Sequence, residues 1–197
     1  MNRLFIAGAL AASALASVPA FAQGYVGANV GVSHANRGCG AADATGTAFS
    51  CDKNDTAYKL YGGWQMPGTP WAAELSYVDL GKFNASGGTG IGASAKDSYW
   101  GLGAAYRPDF GAGWGGVARF GAAYGSSKVD YSLAGGSGGE TKHGWHPYYG
   151  LGVNYALTRN VKLEADWDNT RITSQVPTFG SSTGVVNTYS VGASFGF

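Results

Sequence analysis

The chain has 197 residues, with 13 Lys and Arg against 12 Asp and Glu, a net charge of +1, and 34 glycines. That length suits one domain, and so even a charge balance gives no electrostatic footprint for nucleic acid or for a strongly acidic partner. Aromatic residues reach 14% while charged residues stop at 13%. After residue 22 no window approaches the 18 or so continuous apolar residues of a helical span.

Met1-Asn2-Arg3 is a short basic start, Leu4 to Val18 is apolar and small, and Ala20-Phe21-Ala22 obeys the small-x-small cleavage rule. Residues 1–22 are therefore expected to be a secretory signal, cut near Ala22, leaving 23–197 as the folded unit. The first strand is expected over Gly24 to Ser33, with Val26, Ala28, Val30 and Val32 on one face and Tyr25, Gly27, Asn29 and Gly31 on the other. His34 to Asp55 lacks periodicity and reads as a long loop. It holds Cys39 and Cys51, the only cysteines, which an exported chain is expected to join as a disulfide. A ring of that size would contribute about 3 kcal/mol by restraining the loop.

Thr56 to Met66 forms the second expected strand, and Pro67-Gly68-Thr69-Pro70 is a turn signal. The third runs from Trp71 to Leu80, then a Gly/Ser loop to Ser94, then a fourth strand from Ala95 to Arg107. A turn over Pro108 to Gly113 leads to the fifth strand, Trp114 to Val129, and a further loop from Asp130 to Gly144. His146 to Thr170 is the clearest hairpin. Tyr149, Leu151, Val153, Tyr155 and Leu157 share one parity before the break Thr158-Arg159-Asn160. Beyond it Val161, Leu163, Ala165 and Trp167 alternate with Lys162, Glu164, Asp166 and Asp168. A loop from Thr170 to Gly184 precedes the last strand, Val185 to Phe197.

Eight strands result, joined alternately by short turns and long polar loops. In most of them the aromatic face stands opposite a face of glycine and charge. A soluble sandwich does not need that pattern. A membrane barrel does, with lipid outside and a polar lumen, and only a closed barrel satisfies every strand amide in lipid. The expected fold is all-β: an eight-stranded antiparallel transmembrane β-barrel with short periplasmic turns and long extracellular loops. Trp64, Trp71, Tyr106, Trp114 and Tyr155 fall near the short turns, and Trp100 and Trp167, with Tyr77 and Tyr124, nearer the long loops. Together with the terminal Phe197 they are expected to mark the two membrane interfaces. By parity Lys59, Glu74, Arg119, Lys162, Glu164 and Asp166 point into a lumen just wide enough for side chains to fill. Buried charges require partners, so Glu74 and Glu164 are expected to pair with Arg119 and Lys162.

Specific stretches resemble the transmembrane domain of the outer membrane protein A (OmpA) family. They are Tyr61-Gly62-Gly63-Trp64-Gln65 followed by Pro70 and Ala73-Glu74-Leu75-Ser76-Tyr77; Gly152 to Thr158 with Leu163-Glu164 and Trp167; and Ser190 to Phe195. The resemblance covers nearly all of 23–197. It implies an eight-stranded barrel, surface-exposed loops, a lumen blocked by charged pairs and a debated narrow pore. It also implies that the terminal aromatic, Phe197, is read by the barrel assembly machinery. Full-length members add a peptidoglycan-binding domain, which is not expected to transfer to a chain stopping at Phe197. Gly103 stands where the family usually has a lysine, and Asn154 where it has a carboxylate.

Catalysis would need a nucleophile and base within reach of each other. The histidines, His34, His143 and His146, fall at or near loops, and no His-x-Ser pair sits on a lipid-facing strand. No enzyme, cofactor or metal is expected. The expected role is a monomeric structural or surface-interaction barrel in contact with outer membrane lipid and lipopolysaccharide. A narrow gated channel, with Lys162 as its gate, is the alternative, and a lipid A-modifying enzyme a distant third.

Overall fold

Period-two sequence becomes alternating outward and inward side chains once strands pair edge to edge. The computed structural model describes residues 23–36, 50–86, 92–133, 136–176 and 180–197. Eight long strands carry it: β1 Gly24–Asn36, β2 Asn54–Gln65, β3 Trp71–Ser86, β4 Gly92–Tyr106, β5 Trp114–Leu133, β6 Gly136–Ala156, β7 Val161–Val176 and β8 Gly180–Gly196. Each pairs antiparallel with its sequence neighbours. β8 returns to β1, from Tyr25 opposite Gly196 to Asn36 opposite Val185. That last ladder closes the sheet and removes its edges. Two three-residue strands flank the barrel, Ser50–Asp52 against β3 and Asp109–Gly111 against β5.

The outer surface is apolar. Leu60, Leu75, Leu102, Phe120, Leu151, Val153, Tyr189 and Val191 are all exposed, on six strands of the ring. An apolar band of this extent is far larger than the patches soluble monomers expose, and it fits a hydrocarbon solvent. The inward parity is buried, including Lys59, Glu74, Arg119, Glu164 and Asp166.

The strands run further than the alternation suggests. β5 and β6 have 20 and 21 residues, roughly twice what a tilted strand needs to cross a bilayer. They stay paired from Trp114 opposite Tyr155 to Leu133 opposite Gly136, so most of the expected loop from Asp130 to Gly144 is ladder. β3 likewise continues to Ser86, β4 begins at Gly92, β7 reaches Val176 and β8 begins at Gly180, each cutting into an expected loop. The reason is physical. Above the membrane both faces of a hairpin are wet, so backbone pairing persists without the apolar alternation that reveals it in sequence.

β3 also changes phase. The ladder with β4 shifts between Asp79 and Lys82, and Gly81 takes φ +80°. This is a glycine bulge. It puts an extra residue into β3, so Leu80 and then Phe83 face the interior while Lys82 turns outward.

Candidate functional site

Three layers fill the lumen. The central one is built around Arg119 in mid-β5. Its Nε lies 2.8 Å from Glu74 Oε1, Nη2 3.0 Å from Glu164 Oε2, and Nη1 2.9 Å from Asp166 Oδ1. Three carboxylates thus converge from β3 and β7 on one guanidinium whose side chain is 1% exposed. The planar fork of arginine suits this, because its donors point in fixed, separate directions. Arg107 reaches in from just beyond β4 and donates from Nη2 to Glu164 Oε1. Tyr25 donates its hydroxyl to Glu74 Oε2 at 2.8 Å, and Ser194 donates to Glu164 Oε1 at 2.8 Å. Lys59 lies 2.7 Å from Asp168 Oδ2 and 3.3 Å from Asp166 Oδ2, and Asn29 donates to Asp166 Oδ2 at 2.8 Å.

Two tyrosines roof this network. The Arg119 guanidinium lies 5.0 Å from the Tyr61 ring centre, and that of Arg107 4.3 Å from the Tyr25 ring centre. Both are cation–π distances. The space is made by glycines opposite: a Cβ on Gly27 would come 2.2 Å from the Tyr61 ring, and one on Gly63 2.3 Å from that of Tyr25. On the side of the short turns Tyr25 and Tyr61 merge into an apolar cluster with Ala72, Ala105 and Val117. On the side of the long hairpins Val78, Leu80, Ile172 and Val186 meet Ala35, Ala123, Tyr99 and Tyr148, with Phe83 packed against them. Burying side chains such as Leu80 and Ile172 contributes about 1.5–3 kcal/mol each, so this layer is a substantial plug in its own right.

Five of the residues placed in the lumen by parity, Lys59, Glu74, Arg119, Glu164 and Asp166, meet in one network. Lys162 does not join it. It is half-buried near the short turn between β6 and β7, opposite Ala156 and Ser194, and among the described residues belongs to none of the lumen ion pairs. The pairing expected of Lys162 with Glu164 is corrected: Arg107 takes that place. Lys162 and Glu164 are two apart on one face of a strand and project side by side, whereas Arg107 points across toward Glu164. Arg107 was legible by counting inward from Tyr99 through Gly103, but it lies at a strand end next to Pro108, where the sequence suggests a turn. Asp168 shares the same inward parity as Glu164. Anions in this network outnumber cations, since Lys59, Arg107 and Arg119 face Glu74, Glu164, Asp166 and Asp168.

The outer rim is aromatic. Tyr77 packs tilted against Trp100 at 5.0 Å, Tyr124 likewise against Trp145 at 5.1 Å, and Tyr149 meets Trp167 edge-on at 5.8 Å. At the opposite rim Trp71 meets Tyr106 at 4.9 Å and Trp114 meets Tyr155 at 5.0 Å, with Trp64 exposed on β2. Phe197 is 39% exposed, and its amide donates to Gly24 O at 2.9 Å.

The histidines do not converge. His143 and His146 lie within β6 rather than in a loop. Their odd separation sends them to opposite faces. His143 stacks on Tyr124 at 5.7 Å, and His146 turns inward to within 3.3 Å of Thr173 Oγ1. Residues 1–22 and Cys39 lie outside the described residues, and of Cys51 only the backbone is described, paired with Ala85.

Residues 6–197 match the family model of the outer membrane protein beta-barrel domain. No curated protein matches the chain. Among solved structures it is similar to Neisserial surface protein A, at 17% identity over 88% of this chain and 97% of that one, with a TM-score of 0.59. It is similar to Ail, the attachment invasion locus protein of Yersinia pestis, at 17% identity over 89% and 99%, TM-score 0.52. It is also similar to the N-terminal β-barrel domain of Pseudomonas aeruginosa OprF, at 15% identity over 89% and 98%, TM-score 0.51. These likenesses share the closed ring of strands described above. The chain belongs to the outer membrane protein beta-barrel domain family, and it shares the fold of an eight-stranded antiparallel barrel with these structures.

Proposed function

We propose that this protein is a non-conducting, non-enzymatic barrel whose working part is the set of hairpins it holds above the outer membrane. The observation that carries this is the filled lumen. A buried ion-pair network and the apolar layer of Leu80, Ile172 and Val186 lie in series along the axis. Opening such a path would strand several charges and uncover the apolar plug, which is expensive in both layers. The long β5–β6 hairpin supports the surface role, since about ten residues of each strand exceed the span. In this reading residues 1–22 are the export signal, cleaved near Ala22, and Cys39 and Cys51 are bridged in the oxidising compartment. Lys59, Glu74, Arg119, Glu164 and Asp166 hold the barrel shut, and Phe197 closes a strand that the barrel assembly machinery receives. The barrel works as a monomer.

Planar-bilayer recording of refolded protein tests the proposal. Wild type and Lys162→Ala are both expected to give no steps above the empty bilayer, because Lys162 lies outside the network. Reproducible unitary steps from wild type would favour the channel reading instead. Incubation with lipopolysaccharide should leave its acyl pattern unchanged by mass spectrometry, and a lost or transferred chain would mark an enzyme.

A further inference from the structure

Above the outer aromatic rim, the outward face of β3, β4 and β5 carries three lysines in one row. Lys82 lies directly opposite Lys96, and Lys96 directly opposite Lys128. Neighbouring strands are ~4.8 Å apart. Like charges set opposite each other on one sheet face repel, so the row costs stability unless something anionic sits against it. The nearby carboxylates do little to offset it. Asp79 lies 3.4 Å from Lys96 Nζ, and Asp130 3.6 Å from Lys128 Nζ. The lysine side chains in these pairs are 52% and 59% exposed, and such pairs are weak. Asp55 accepts from the backbone amide of Lys82 and not from its ammonium. Among the described residues no ion pair engages Lys82.

The row exists because of the Gly81 bulge. Without the extra residue, Lys82 would fall on the inward parity, against the apolar layer that Phe83 now packs on. The bulge re-aims the lysine onto the membrane-side face, a common use of bulges. Two register rows nearer the membrane, the same three strands present Tyr77, Trp100 and Tyr124, with Ser98 and Ser126 between. Four residues along a strand are ~13 Å, or roughly 10 Å of height at a tilt near 40°. Interfacial aromatics mark the headgroup level, which puts the ammonium groups where outer-leaflet phosphates lie.

The geometry points to a binding site for lipopolysaccharide on the outward face of β3–β5. Lys82, Lys96 and Lys128 hold its phosphates, and Trp100 and Tyr124 stack beneath on sugar and upper acyl chain. A bisphosphorylated glycolipid suits the row better than a phospholipid, because the three stems span about 10 Å and a single phosphodiester engages only part of that width. The assignment rests on the outward orientation of the long hairpins, which protease accessibility on cells tests separately.

Native mass spectrometry of the refolded barrel in neutral detergent tests it, with bisphosphorylated lipid A, its dephosphorylated form and phosphatidylglycerol as probes. Wild type is expected to retain the bisphosphorylated form on the order of tenfold more tightly than either other lipid, the sum of three modest charge contacts. The triple change Lys82→Gln, Lys96→Gln, Lys128→Gln should erase that preference. A control changing Lys53, Arg159 and Lys162 to Gln removes the same charge elsewhere and should keep it. Equal retention of all three lipids by wild type overturns the site, as does a preference that survives the triple change or vanishes in the control. Should the triple variant not fold, Lys96→Gln alone, at the centre of the row, must weaken the preference.

Discussion

Arg119 shows what one residue can hold in a low-dielectric lumen. Its three carboxylate partners come from two strands on other parts of the ring, and no solvent reaches any of them. Arg119→Ala would leave Glu74 with the Tyr25 hydroxyl at 2.8 Å and, as its nearest cation, Arg107 at 3.9 Å, while Glu164 keeps Arg107 and Asp166 keeps Lys59. The expected loss is about 3–5 kcal/mol, the cost of stranding a buried charge. Urea unfolding in micelles, followed by Trp fluorescence, reads it. Adding Glu74→Ala should recover part of the loss, since the stranded carboxylate goes with its partner. If the double variant is as unstable as the sum of the singles, Glu74 and Arg119 are not coupled. A smaller change tests the roof of the network. Gly27→Ala places a methyl in the Tyr61 ring and should cost about 1–3 kcal/mol as overpacking, whereas Gly68→Ala, in an open turn, should cost about 1 kcal/mol or less from its φ of +69° alone.

At the scale of the element, the strands were legible wherever lipid demands apolar residues, and illegible where it does not. On β5 the outward positions read Trp114, Ala118, Phe120, Ala122, Tyr124 and then Ser126, Lys128, Asp130. The first part announces a strand and the second reads as loop, yet the ladder is continuous. The lumen partners were legible by the same count of two, which is why Glu74, Arg119 and Glu164 could be named. The apolar layer was not, because Leu80, Ile172 and Val186 lie at the margins of the expected strands, and a bulge shifts the parity just after Leu80. That bulge makes its own prediction. Deleting Gly81 should swing Lys82 into the apolar layer and Phe83 out of it, costing more than ~3 kcal/mol for the unpaired charge. Gly81→Ala keeps the phase and should cost less, though its Cβ would meet the Asp55 carboxylate at 2.4 Å. Equal damage from both changes, measured as refolding yield and urea midpoint, would mean that the phase shift is unimportant.

For the whole molecule the governing fact is asymmetry along the barrel axis. At one end the chain turns back within a few residues, as between Gln65 and Trp71 or Ala156 and Val161. At the other, paired strands continue well past the aromatic rim. The apolar band between the two rims fixes the depth of the barrel in the membrane, because moving it by about four residues along β5 would put Lys128 in lipid or Phe120 in water. In the proposed reading the short turns stay in the periplasm and the long hairpins face outward, the usual arrangement of such barrels. Two measurements on cells should agree. Unheated protein should run on SDS gels at a mobility that boiling changes, as expected of a ladder closed between β1 and β8. Protease added to intact cells should cut a tag inserted between β5 and β6 and spare one inserted at Gly68. Cleavage at Gly68 with protection of the hairpin would invert the barrel and turn the lysine row toward the inner leaflet. Cleavage at both sites in the heat-modifiable, folded fraction would show that the protein does not sit in a sealed membrane as described.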